Sequence, residues 1–223
     1  FEPFATCDNL LNLYSKKFEE NPNDTVMIEK LLSSFERKDC TPPLYYEASE
    51  QLYKLKPTAS SALALGKMYF RLEEFNRAIP FLQDAISDLE DNEMKADAYY
   101  YLAEVYRNLR NYSAARTNAC KAAEFMPDDG KPWILIGDLY AMSASSCGDN
   151  AVTSKAAYWA AVDKYQRARS VDESIASIAN SRIATYTNAF PKGEDIFFFG
   201  FKIGDSYTVE CWINETTTIR SSD

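Results

Sequence analysis

Between Ser60 and Pro127 the chain repeats itself at the length of one helical hairpin. The first copy carries Ala62, Leu65-Gly66, Tyr69, Ala78, Leu82 and Ala85. The second carries Tyr99, Leu102-Ala103, Tyr106, Ala115, Ala119 and Ala122, and closes on Pro127. A third opens with Trp133, Ile136-Gly137 and Tyr140. Gly66 to Ala103 is 37 residues and Ala103 to Gly137 is 34. A unit of this length cannot bury its apolar face alone, so copies must stack and share a core. The 223 residues then set the number of hairpins rather than the number of domains.

The rest of the chain is read around this repeat. Phe4, Leu11, Tyr14 and Phe18 share a helical face from Phe4 to Glu20, which Asn21-Pro22-Asn23 ends. Helices are expected over about 24–36 and 44–55, closed by Lys56-Pro57, so that 24–57 reads as a degenerate first repeat. The two clear repeats span about 59–91 and 96–127. Asn92 and Asn111 are placed to cap the helices that follow them, and Pro80 is expected in the first turn of its helix, where a missing donor is tolerated. The third repeat, 130–171, is interrupted. Its second helix resumes at Trp159–Ala168, which leaves an insertion of 142–155 inside the hairpin. A further helix follows from Asp172 to Asn188.

From Pro191 the apolar period falls from 3.6 to 2. Tyr207, Val209, Cys211 and Ile213 alternate with Thr208, Glu210 and Trp212, and Thr216 to Arg220 is again rich in strand formers. The expectation over 191–223 is an aromatic connector, Phe197 to Phe201, followed by a two-stranded hairpin. An isolated hairpin is marginal in water, so it should lie on the last helices. Tyr207, Val209, Cys211 and Ile213 should face inward, with Trp212 on the other side. The connector is expected to cover the end of the stack, the alternative being a patch that faces a partner or lipid.

Small residues at the helix crossings, an aromatic residue one turn on and a closing proline resemble the tetratricopeptide repeat. The resemblance implies an all-α, right-handed solenoid of about ten helices over 1–190 with a small C-terminal β cap over 191–223. From Trp133 to Arg220 the chain also looks like envelope-associated tetratricopeptide proteins of Bacteroidetes-type bacteria. The residues that carry this are Ser146-Cys147-Gly148, Tyr158 through Lys164, Gly204 through Val209, Trp212 through Thr217, and Arg220. That likeness implies export to the periplasm or outer envelope and a binding or scaffolding role. The chain begins at Phe1 rather than Met, which fits a cleaved export signal or a trimmed sequence.

In this repeat the first helix of each hairpin lines the groove. The matching positions give a protein-binding face of Lys67, Phe70, Arg71, Tyr100, Glu104, Arg107, Asn108, Ile134 and Asp138, with Asp97 and Lys131 beside them. Aromatic and Arg anchors suit a peptide partner. The competing reading is a solvated face with internal ion pairs such as Lys67 with Glu104. The carboxylate clamp of chaperone-binding relatives is not matched, because Leu63, Tyr100, Ile134 and Asp138 stand at its positions.

Chemistry finds little support. The chain has no His, which removes the commonest general base and metal ligand. Gly148 to Lys155 has the composition of a phosphate loop without its order. No enzyme activity, cofactor or metal is expected. With 24 basic and 33 acidic residues the net charge is −9, so nucleic acid is a poor partner. No apolar run approaches membrane-helix length. Cys7, Cys40, Cys120, Cys147 and Cys211 are odd in number and widely spaced, and read as plain thiols. The expected function is therefore non-enzymatic protein binding. The alternative is an accessory or regulatory subunit with a small-molecule site under the 142–155 insertion, lined by Tyr140, Cys147, Tyr158 and Trp159.

Overall fold

The described residues, 6–223, form eleven α-helices and one small antiparallel sheet in a computed structural model. They belong to two compact units, Phe1–Glu90 and Asp91–Asp223. Phe4, expected at the head of the first helix, lies outside the described residues. No helix among the described residues is long and apolar enough to cross a membrane.

The first unit holds α1 (Cys7–Glu20), α2 (Thr25–Glu36), α3 (Pro43–Leu55), α4 (Ala59–Arg71) and α5 (Phe75–Asp88). Thr6 and Asp24 cap α1 and α2, their side-chain oxygens accepting backbone N–H bonds from Asn9 and from Val26 and Met27. Leu10 and Tyr14 of α1 pack on Ile28, Leu31 and Phe35 of α2 and on Leu44 and Ala48 of α3. A disulfide joins Cys7 to Cys40, with Cα atoms 6.2 Å apart, and ties the head of α1 to the loop after α2. Pro80 is inside α5 rather than in its first turn. It is tolerated because Pro80 and Asn76, whose carbonyl loses its partner, are both exposed.

The second unit holds α6 (Asn92–Asn108), α7 (Tyr112–Phe125), α8 (Lys131–Ser143), α9 (Ala156–Val171), α10 (Ala176–Thr187), α11 (Gly193–Phe198), β1 (Ser206–Val209) and β2 (Glu215–Thr218). Asn111 caps α7 as expected, accepting from Ala114 N at 3.2 Å. The cap of α6 is Asp91, one residue before Asn92, and accepts from Met94 N at 2.8 Å. A carboxylate there also meets the positive end of the helix dipole.

The hairpins of α2/α3, α4/α5 and α6/α7 turn in one way. Asp39, Glu73 and Arg110 sit in the left-handed region, with φ of 50°, 59° and 59°. The next residue's N–H then reaches back five residues, Cys40 to Phe35, Glu74 to Tyr69 and Asn111 to Tyr106, at 2.9–3.1 Å. This closure satisfies the carbonyls left open at a helix end. In α8/α9 a longer link replaces it, 144–155, built from two short 3-10 turns. Asn150 Oδ1 accepts from Val152 N and Thr153 N at 2.9 Å, which holds that link in shape.

Small residues stand where paired helices cross. A Cβ on Gly66 would come within 2.5 Å of Leu82 Cδ2, and Ala103 is fully buried among Ala115 and Ala119. A Cβ on Gly137 would enter the ring of Tyr165, within 2.8 Å of Cδ1. That ring cannot swing away: its hydroxyl donates to Asp138 Oδ1 at 2.8 Å and Tyr186 stacks on it. Gly137→Ala should therefore cost about 1–3 kcal/mol, read as a lower denaturant midpoint. An unchanged midpoint would mean α8 and α9 do not cross at Gly137.

Beyond α9 the structure departs from the sequence reading in several ways. The open side of α9 is covered by α10, whose Tyr186 stacks on Tyr158 and Tyr165. Ser177, Asn180, Ser181, Arg182 and Thr185 give α10 an exposed polar face, as an end helix needs. The aromatic connector is thus not the cover. Only Ile196 of α11 turns inward, while Phe197 and Phe198 are 84% and 81% exposed.

The sheet is a short hairpin, with Ser206 paired to Thr218 and Val209 to Glu215. The alternation stops at Val209, because Cys211 and Asn214 adopt φ of 66° and 43° and turn the chain. Trp212 and Ile213 consequently both face the helices, which corrects the expected outward Trp212. Its indole N–H donates to Ser143 Oγ at 3.0 Å, and its ring meets Tyr140 at 5.6 Å and Tyr112 at 6.0 Å. Cys211 is not an inward thiol but the exposed half of a second disulfide, to buried Cys147 in the inserted link. Four of the five cysteines are paired and Cys120 alone is free. Spacing could not reveal this, since each pair is distant in sequence, 33 and 64 residues.

Polar contacts fix the hairpin on α7, α8 and α9. Arg220 pairs with Asp163 at 2.8 Å, and its carbonyl accepts the indole N–H of Trp159 at 2.8 Å. Lys164 pairs with Glu215 at 2.8 Å. Arg116 donates to the carbonyl of Ile213 and stacks over Trp212. Phe190, Ile196, Val209, Ile213 and Ile219 enter the same core as α7, α8 and α9.

Candidate protein-binding site

In each unit the face of the first hairpin helices carries a cavity. In the first unit it measures about 470 Å³ and is lined by Glu36, Tyr45, Tyr46, Lys67, Met68 and Arg71. The Tyr45 hydroxyl donates to Glu36 Oε1 at 3.0 Å. Burial, then the bond to Glu36, pushes that phenol up to about 12. Lys67 and Arg71 line this cavity. Phe70 does not; its ring packs on Phe75 at 5.9 Å.

The second unit has a larger cleft of about 670 Å³. Its floor is the start of α6, with Met94, Asp97, Tyr100 and Tyr101, and its far wall is Met126 with Asp128, Asp129 and Lys131. With Glu93 and Asp172 the lining holds five carboxylates against one ammonium group. Asp172 is held rigidly. Its carboxylate accepts from the Ser174 hydroxyl at 2.6 Å and from Gly130 N at 3.2 Å, and these bonds keep it below the usual carboxylate range. Apolar Met and Tyr surface under charged rims can grip a peptide's side chains while leaving its ends in water.

Of the remaining expected residues, most have their polar groups taken up inside the protein. Glu104 accepts from the Tyr100 hydroxyl at 3.0 Å and pairs with Arg107 of its own helix at 2.9 Å. Burial raises the Glu104 carboxyl above its ordinary range, and Arg107 opposes that rise. Asn108 Nδ2 donates to the carbonyl of Glu104 at 2.9 Å. Asp138 accepts from Tyr165 and pairs with Arg182 of α10 at 3.1 Å. Ile134 is half-buried against the core. Tyr100 lines the cleft, together with Asp97 and Lys131 of the same expected face.

Sequence reasoning missed Met94, Tyr101, Met126, Asp128, Asp129 and Asp172. Asp128-Asp129 directly after the closing Pro127 was the available signal, since it puts two carboxylates at a repeat junction. The residues expected to line a small-molecule site under the insertion are engaged inside the protein. Tyr140 and Trp159 are fully buried in the core, Cys147 is in a disulfide, and Tyr158 is stacked on Tyr186.

Paired helices of this repeat length with small residues at their crossings define a tetratricopeptide-repeat fold. Among solved structures, the chain is similar to a crystal structure of MamA, with a TM-score of 0.58 and 24% identity over 76% of this chain and 85% of that one. It is also similar to YrrB, described as a TPR protein with an unusual peptide-binding site, with a TM-score of 0.53 and 15% identity over 79% of this chain and 82% of that one. Likeness at these identities establishes the fold. No protein-family model matches the chain, and no curated protein matches it in sequence.

Proposed function

We propose that the protein is a non-enzymatic binding module that receives an extended segment of another protein in the cleft of its second unit. The cleft itself carries this reading: about 670 Å³ of space lined by Tyr, Met and five carboxylates. That charge favours a segment bearing Lys or Arg. The fold shared with YrrB, whose description names a peptide-binding site, supports the same reading.

We further propose that it works outside the cytoplasm, in the periplasm or outer envelope. Two disulfides in one chain support an oxidising compartment, because cytoplasmic thiols are kept reduced. The likeness of the C-terminal third to envelope-associated proteins points the same way.

Crosslinked pull-down from the native cell tests the cleft. The variant Asp97→Lys/Asp128→Lys should retain roughly a tenth or less of the partner captured by the parent, and capture by the parent should weaken with salt. Glu124→Lys, an exposed change on α7 outside the cleft lining, serves as the control. Full capture by the cleft variant would place the binding site elsewhere.

A further inference from the structure

The segment after α10 ends in a knuckle with no counterpart in the repeat. Phe197, Phe198 and Phe199 are 84%, 81% and 40% exposed, and Ile203 beside them is 50% exposed. Natural surfaces rarely leave adjacent large apolar residues uncovered without a use. The knuckle is also firmly built. Ile196 beneath it is buried, Phe201 N donates to the Ile196 carbonyl at 3.0 Å, and Gly200 N donates to that of Phe197 at 3.0 Å. Gly200 closes the turn at φ 77°, a conformation other residues rarely adopt.

From this geometry we infer that the Phe197–Phe199 knuckle is a lipid-contact element that enters the surface of a membrane with zwitterionic headgroups. The area is one argument. Side chains of this size carry roughly 150–250 Å² each, so the three Phe expose on the order of 400 Å². A stable protein interface needs about 800 Å² from each partner, so pairing with a second copy through this knuckle falls short. The chemistry is another. Phe has no polar handle to satisfy in a protein pocket, and the knuckle projects rather than forming a groove. The rim is the third. Lys192 and Lys202 stand beside Glu194, Asp195 and Asp205, a mixture of signs that suits headgroups carrying both charges and opposes an anionic surface. Shallow burial of an apolar face at the headgroup boundary is the binding mode such an element supports.

Flotation of the full chain with phosphatidylcholine vesicles tests the inference. The parent should float with the vesicles at low and high salt alike. Phe197→Ser/Phe198→Ser should reduce the floated fraction by about tenfold or more while leaving the melting curve unchanged, since both rings are exposed. Three results would overturn the inference. The parent fails to float with neutral vesicles, the variant floats as well as the parent, or the parent sediments as a dimer that the variant dissolves.

Discussion

A chain ended at Asn188 is expected to lose the cooperative melting of its second unit and to aggregate. The cut removes Phe190, Ile196, Val209, Ile213 and Ile219, all buried in the core shared with α7, α8 and α9. Fully burying side chains of this size contributes about 1.5–3 kcal/mol each. Five of them approach the whole stability of an ordinary domain, about 5–15 kcal/mol. The damage goes beyond lost area. Trp159 would lose the rings of Phe190 and Tyr207 that pack on it and the Arg220 carbonyl that its indole N–H reaches, which opens a large aromatic side chain of the core to water. Cys147 would be left as a thiol, and Lys164 and Arg116 would lose Glu215 and the Ile213 carbonyl. Circular dichroism melting with a dye for exposed apolar surface reads the outcome. A truncated chain that melts and dissolves like the parent would mark the segment as a dispensable arm.

The repeat could be read in the sequence because its determinants are local. Gly66, Ala103 and Gly137 are small for a steric reason that acts at each crossing, and the structure shows Leu82 and Tyr165 occupying the space a larger side chain would need. The C-terminal segment could be read only as far as the alternation lasted. Past Val209 the positive φ of Cys211 and Asn214 breaks the period of two; Asn enters that region more readily than most residues, but nothing in a Cys announces it. That is why the alternation alone places Trp212 on the wrong side. The aromatic connector misled for another reason: apolar composition shows what a residue could bury, while a six-residue helix fixes which one does. The expected groove residues show a similar limit. Positions on the first helices were legible, but whether Glu104 and Asp138 were available depended on Arg107 and Tyr100 in one case, and on Tyr165 and Arg182 in the other.

Breaking the disulfides should lower stability by about 4 kcal/mol for each crosslink. Chain-entropy arguments put the effect of closing loops of this size near that value, and the pairs here are 33 and 64 residues apart. The expected fall in the second unit's melting temperature is roughly 10–20 °C. Cys147→Ala/Cys211→Ala is the better variant, because a single change would leave a reactive partner thiol behind. Its effect should exceed that of simple loop opening in one respect. The bond joins the inserted link at Cys147 to the turn that seats Trp212 and Ile213, so losing it loosens both the link and the hairpin that covers α7, α8 and α9. The readout is favourable, since Trp133, Trp159 and Trp212, the only Trp residues in the chain, all belong to the second unit. Tryptophan fluorescence therefore follows that unit, and the midpoint it reports should fall in Cys147→Ala/Cys211→Ala. Cys7→Ala/Cys40→Ala should instead lower the stability of the first unit, where α1 is held to the loop after α2. Circular dichroism would report that loss. If reductant leaves both signals where they were, the disulfides add nothing to stability, and the argument from them to an oxidising compartment loses its physical basis. A fall of the expected size would mean that the fold depends on an environment in which thiols stay oxidised.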